Sequence, residues 1–189
     1  PGEMIISPIE IERNLTTAAH QYAIIESALR HADGRSNGAH QRRLGELWAR
    51  FAAIAAAAPA SWDRRALSAD EIAVESPTNR TIAAPYTKWL VSQWNVDQAA
   101  ALVVTTVGVA RRHGVDRSKW VFPLALAESN TVVPLSERAV LHRWPASRLC
   151  GRAALDVAGL TIDDLGAVDL YSCFPVAVQV QAAELGLST

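Results

Sequence analysis

The run Asp169-Leu170-Tyr171-Ser172-Cys173-Phe174-Pro175 is the place in this 189-residue chain where residue types and spacing could do chemistry. Apolar residues lead into it and Pro175 suits the first turn of a helix, so it reads as a strand-to-helix turn, where open α/β sheets place ligands. At such a turn the Tyr171 hydroxyl can donate a hydrogen bond to an oxyanion, helix amides and the helix dipole favour developing negative charge, and Cys173 is more easily ionised. These are the needs of carbonyl chemistry. Residue chemistry taken alone favours a plainer reading, in which Tyr171 and Cys173 are buried packing groups, because cysteine is among the most often buried residue types.

The elements that must position this turn follow from periodicity. Ala19, Tyr22, Ile25 and Leu29 recur at helical spacing over residues 16–31, and Leu44, Leu47, Trp48, Phe51, Ile54 and Ala58 do so over residues 39–58. Pro59 closes the second helix, and Ser68 with Glu71 forms a capping box for a short third helix over residues 69–74. Residues 75–86 read as a connecting loop, and near residue 88 the texture changes to short apolar runs alternating with helices. This predicts two units, a mainly helical one over residues 1–88 and an α/β one over residues 89–189. In the second, residues 99–105, 120–127 and 167–170 are strand candidates and residues 107–113 a short helix. Pro145 and Gly159 bracket one further helix, and Pro175 and Gly186 another, with a second capping box at Thr161 and Asp164 between them.

Composition excludes several classes. Eighteen basic against nineteen acidic residues leave a net charge of -1, which steers nothing toward nucleic acid or a membrane surface. Two cysteines, Cys150 and Cys173, build neither a disulfide framework nor a zinc site, so no metal is expected. The longest apolar stretch, residues 51–60, is far short of the roughly 20 residues a membrane span requires. A soluble, cytoplasmic protein is expected. Arg42, Arg43 and Arg50 with His40 could face an anionic cofactor, although a solvated helix face is the favoured reading. Arg111, Arg112 and His113 end a helix, where positive charge complements the dipole. Trp48, Trp62, Trp89, Trp94, Trp120 and Trp144 have no basic residues interleaved in the way a nucleic-acid stacking platform needs, so they read as core and interface.

The tyrosine-containing turn does not stand alone. The segment TIDDLGAVDLYSCFPVAVQVQAAELGL resembles the thiolase superfamily, with its motif where ordinary thiolases carry Asn-Glu-Ala-Phe and the sterol-carrier-protein type carries His-Asp-Cys-Phe. Asp97-Gln98-Ala99-Ala100-Ala101 resembles the Asp-Gly-Ala-Ala-Ala that opens the second thiolase half, and the Tyr22 helix, QRRLGELWARFAAIAAAAP and PYTKWLVSQW resemble the loop domain of sterol-carrier-protein-type thiolases and related acetyl-CoA acetyltransferases.

The resemblance implies an α/β fold: a partial, layered αβα thiolase half with a mixed sheet and helices on both faces, preceded by the helical loop domain. It implies a coenzyme A thioester as substrate, hence acyl-CoA as partner in lipid or sterol side-chain metabolism, with the remainder of a thiolase chain and a second copy of the protein as further partners. Tyr171 aligns with the residue that holds the thioester oxygen, and Cys173 lies beside it. The acyl-carrying cysteine and the Gly-His-Pro and Cys-Gly-x-Gly segments of the family have no match here, so the expectation is a fragment of an acyltransferase that is inactive alone. The alternatives are a non-catalytic CoA- or lipid-binding protein and a thiolase-like retro-aldolase that uses tyrosine to move a proton.

Overall fold

The computed structural model describes residues 5–93, 95–130 and 132–189, so Trp94 of the tryptophan series lies outside the described residues. Among the described residues seven α-helices form, α1 (Pro8–Glu12), α2 (Ala18–Ala32), α3 (Asn37–Ala57), α4 (Ala69–Ala73), α5 (Val107–Arg112), α6 (Pro145–Ala158) and α7 (Pro175–Leu185), and all but α1 lie where the caps and periodicity place them. The Ser68–Glu71 box closes in both directions at the start of α4, and the Thr161–Asp164 box does so around a single 3-10 turn. Gly159 and Gly186 stop α6 and α7 with φ of 68° and 78°, a left-handed conformation that glycine adopts without a Cβ penalty.

Helix α7 is the centre of the molecule. Its sequence, PVAVQVQAAEL, is apolar on every side, and a helix of that kind must be surrounded. Val176, Ala177, Val178, Val180 and Ala182 are all buried, and Val176 and Val180 share one core cluster with Ile25 of α2, Leu44 of α3, Ile72 of α4 and Phe174. Full burial of each valine stabilises the fold by about 1.5–3 kcal/mol. The core therefore draws on residues from both sides of residue 88. Helices α3 and α4 touch backbone to backbone, because Gly45 has no Cβ: one placed there would strike the Ala69 carbonyl oxygen and lie 2.9 Å from the Ala73 Cβ.

The segment expected to be a loop contains a small antiparallel hairpin, β1 (Thr81–Ala83) with β2 (Tyr86–Thr87), joined through a cis Ala84–Pro85 bond. It is the only sheet among the described residues. The three strand candidates at 99–105, 120–127 and 167–170 are irregular chain instead. Leu102, Val103 and Val104 are 90–97% exposed, and Val121 and Leu126 are 88% and 90% exposed. β-Propensity alone does not make a strand: each edge needs a neighbour to take its N–H and C=O groups, and no described segment lies alongside these runs to do so. The layered αβα sheet is thus not assembled by the described residues themselves.

Candidate functional site

Residues 171–174 cross the N-terminal end of α7, and three kinds of contact hold them there. Gln181, one face down α7, grips the Tyr171 backbone: its Nε2 donates to the Tyr171 carbonyl at 2.9 Å, and the Tyr171 N–H reaches its Oε1 at 3.4 Å. The Ser92 N–H donates to the Cys173 carbonyl at 3.0 Å. Phe174 turns into the core, stacked on Tyr22 with ring centroids 4.4 Å apart and tilted against Tyr86 at 5.5 Å. Trp144 meets the other edge of Tyr22 at 6.3 Å.

With its backbone fixed this way, Tyr171 is 56% exposed, and its hydroxyl is near enough to the Cys173 thiol and the Tyr22 hydroxyl to feel both. The hydrogen bond with Cys173, helped by partial burial and by the neighbouring phenol, pushes the Tyr171 hydroxyl up to about 12. Burial foremost, then the negative charge Cys173 can carry, raises the Tyr22 hydroxyl as well. Both phenols therefore stay protonated at neutral pH and can act as hydrogen-bond donors. The two residues singled out from sequence, Tyr171 and Cys173, come together, and Tyr22 joins them from 149 positions away.

The α7 amides contribute less than a bare helix N-terminus would. Pro175 has no N–H, the Val176 N–H is directed at the Tyr86 hydroxyl, and the Ala177 N–H donates to the Phe174 carbonyl at 3.0 Å. Donors facing a ligand at this turn are side chains. Beside it, Ser172, Leu170 and Val178 with Trp48 and Phe51 of α3 line an apolar hollow of about 470 Å³.

Beneath the turn lies a buried polar network that the sequence reading did not pick out. Glu26 accepts from the Tyr86 hydroxyl at 2.9 Å and from Gln179 Nε2 at 3.0 Å, and its Oε1 lies 2.7 Å from His40 Nε2. Tyr86 also donates to the Tyr22 carbonyl at 3.2 Å, which ties the network to the ring that carries Phe174. Burial first, and the Glu26 charge second, keep the Tyr86 hydroxyl protonated. The sequence signal was present: Glu26 and His40 are polar residues among the apolar ones of α2 and α3, one turn from Tyr22 and Leu44. Their partnership was not legible, since nothing in spacing pairs residues of different helices.

The arginine cluster of α3 is divided by the fold. His40 is 1% exposed and committed to Glu26, Arg42 and Arg50 stand in solvent, and Arg43 lines a separate cleft beside α7. Among the described residues no group of three His, Cys, Asp or Glu side chains could hold a metal ion, and no helix is long and apolar enough to cross a membrane.

No family model matches the chain, and a search of curated proteins returned no match. Among solved structures, the chain is similar to the crystal structure of a monomeric SCP2-thiolase like protein type 1 from Mycobacterium smegmatis, at a TM-score of 0.78 and 32% identity over 96% of this chain. The chain spans 40% of the length of that neighbour.

Proposed function

From the premise that this chain is a thiolase-like protein at the level of the superfamily, we propose that it supplies part of an acyl-CoA site, in a fragment of a larger thiolase-like acyltransferase. The observation that carries this reading is the Tyr171 phenol, its backbone held by Gln181 at the start of α7; the resemblance implies that it stands where the sterol-carrier-protein type binds the thioester oxygen. A thioester carbonyl gains negative charge on its oxygen as its carbon is attacked or its α-proton leaves. A neutral phenol meeting that oxygen stabilises the charge. The apolar hollow beside Ser172 suits the hydrocarbon part of such a substrate.

The fragment reading has separate support. The exposed apolar runs around residues 102–104 and 121–126 have the composition of sheet strands without neighbours, and the solved neighbour is more than twice as long as this chain. The remainder of a thiolase chain is their natural cover, and the site would be inactive without it. A cytoplasmic setting and lipid or sterol side-chain metabolism belong to the same proposal.

A second reading, a CoA- or lipid-binding protein without chemistry, is favoured by one observation: both Tyr171 and Ser172 replace residues the family uses. One experiment separates the two. In the longest native form of the protein, acyl-CoA binding is measured by calorimetry alongside thiolysis of a 3-ketoacyl-CoA, in wild type and Tyr171→Phe. Loss of one oxyanion donor lowers kcat by roughly 100- to 1,000-fold. Binding without turnover selects the scaffold, and a Tyr171→Phe protein that binds and turns over like wild type removes Tyr171 from the site.

A further inference from the structure

From residue 166 to residue 172 the chain forms no helix or strand, and every residue of the stretch except Leu170 is exposed. Among the described residues one side chain holds its backbone, Gln181 of α7. Gln181 Nε2 donates twice, to the Tyr171 carbonyl at 2.9 Å and to the Ala177 carbonyl at 2.8 Å, and its Oε1 takes the Tyr171 N–H at 3.4 Å. The bond to Ala177 ties the carboxamide to the backbone of its own helix. Its orientation is therefore fixed, because turning it over would set its oxygen against two carbonyl oxygens. The other glutamine of α7, Gln179, points inward to Glu26 at 3.0 Å and plays no part here.

Engaging both the N–H and the C=O of one residue is what a neighbouring strand does in a hydrogen-bonded pair of a β-ladder. Gln181 thus does for Tyr171 what a strand partner would do, and it does so at the one residue of the stretch whose side chain carries the proposed chemistry. Two residues further on, the Ser92 N–H fixes the Cys173 carbonyl at 3.0 Å, so the Tyr171 backbone is pinned from both sides. We infer that Gln181 is the positioning residue of the Tyr171 site: it touches no reacting atom, and it acts by setting where the Tyr171 phenol stands beside a substrate carbonyl. The inference rests on the reading of Tyr171 as the donor to the thioester oxygen. Removing such a donor costs roughly 100- to 1,000-fold in kcat, and misplacing a group by about 1 Å costs about 100-fold. With the clamp gone the phenol is still present but no longer held, so kcat should fall by roughly 10- to 100-fold with KM close to wild type.

The test is a double-mutant cycle on thiolysis of a 3-ketoacyl-CoA, in the longest native form of the protein, with Gln181→Met, Tyr171→Phe and the two combined. Methionine keeps the length and the apolar stem of glutamine and loses all three hydrogen bonds. If Gln181 acts through the phenol, Gln181→Met slows the wild type and leaves Tyr171→Phe no slower than it already is. Equal fractional losses in both backgrounds, or wild-type kcat in Gln181→Met beside a slowed Tyr171→Phe, overturn the inference and leave the reading of Tyr171 standing. A Tyr171→Phe protein as fast as wild type removes that reading, and the inference falls with it. Circular dichroism checks folding, and if Gln181→Met does not fold, Gln181→Glu takes its place, since its carboxylate cannot donate to the Tyr171 carbonyl. A second readout needs no turnover. With ¹³Cζ-labelled tyrosine the chain gives three phenol signals, and the one lost in Tyr171→Phe is that of Tyr171. Its titration, near 12 in the wild type, should fall toward the ordinary phenol value in Gln181→Met as the phenol leaves Cys173, while the Tyr22 and Tyr86 signals stay in place. An unchanged Tyr171 signal overturns the inference whatever the activity.

Discussion

Replacing Glu26 tests whether the buried network organises the core. In Glu26→Leu three groups lose their acceptor together: the Tyr86 hydroxyl, Gln179 Nε2 and His40 Nε2, in residues 0%, 6% and 1% exposed. Each buried polar group left unsatisfied costs about 1–3 kcal/mol, and breaking a buried network by removing one partner costs about 3–5 kcal/mol. The lower part of the summed range applies, because Tyr86 keeps its 3.2 Å contact with the Tyr22 carbonyl and leucine restores some apolar packing. The expected loss is about 3–5 kcal/mol, against a total stability of about 5–15 kcal/mol for a typical domain. At about 2–4 °C per kcal/mol for a chain of this size, Tm should fall by roughly 6–20 °C. Glu26→Gln keeps the shape and one acceptor oxygen but turns an NH2 group toward other donors, so an intermediate loss is expected. Urea denaturation of both variants, and of Tyr86→Phe alone and combined with Glu26→Leu, gives the coupling between the two residues. A Glu26→Leu loss below about 1 kcal/mol, or additive effects in the Tyr86 cycle, would refute the network as a stabilising unit.

Two further outcomes follow from the packing and the ion pairs. Gly45→Ala should destabilise the chain by up to about 2 kcal/mol: the helix-propensity gain of about 1 kcal/mol is set against an overpacking cost of about 1–3 kcal/mol, whose upper part applies because the obstacle is the Ala69 backbone carbonyl and cannot rotate away. Gly38→Ala in the same helix, whose nearest neighbour is the mobile Arg42 side chain at 3.9 Å, should be neutral or slightly stabilising in the same thermal melts. On the acid side, the hydrogen bond from Arg143 holds the Glu184 carboxyl below its ordinary value despite burial, and at Glu10 burial is outweighed by the Ser136 and Ser7 backbone N–H groups. For both groups the folded value lies below the unfolded one, so their contribution is complete above about pH 4.5 and is lost as pH falls through the lowered folded values. Urea melts should be flat from pH 6 to 5 and weaken below 4.5. Arg143→Ala should make that acid slope shallower, and an unchanged slope would remove Glu184 as a contributor.

The local grammar of the chain carried far. Caps at Ser68 and Thr161, the helix start at Pro145, stops at Gly159 and Gly186, and the apolar face of α2 and α3 are decided by residues within a turn of one another, so they can be read from one stretch of sequence. The position of Tyr171 and Cys173 at the entry of α7 was legible for the same reason, as a motif of seven consecutive residues. The apolar runs at 99–105 and 120–127 show the boundary of that approach: their composition announces strands, yet a strand is a property of a pair, and the second member of each pair does not lie beside them in the described residues.

Tertiary structure alone decided the rest. It brought Tyr22 to Tyr171 across 149 positions, gathered Glu26, His40, Tyr86 and Gln179 around one carboxylate, separated Arg43 from Arg42 and Arg50, and directed the first amides of α7 to partners inside the protein. The physical reason is common to all four. Apolar periodicity says that a helix must bury a face, but burial energy is nearly non-directional, whereas a hydrogen bond or an ion pair is a meeting of two particular groups whose positions are settled only once the helices have packed.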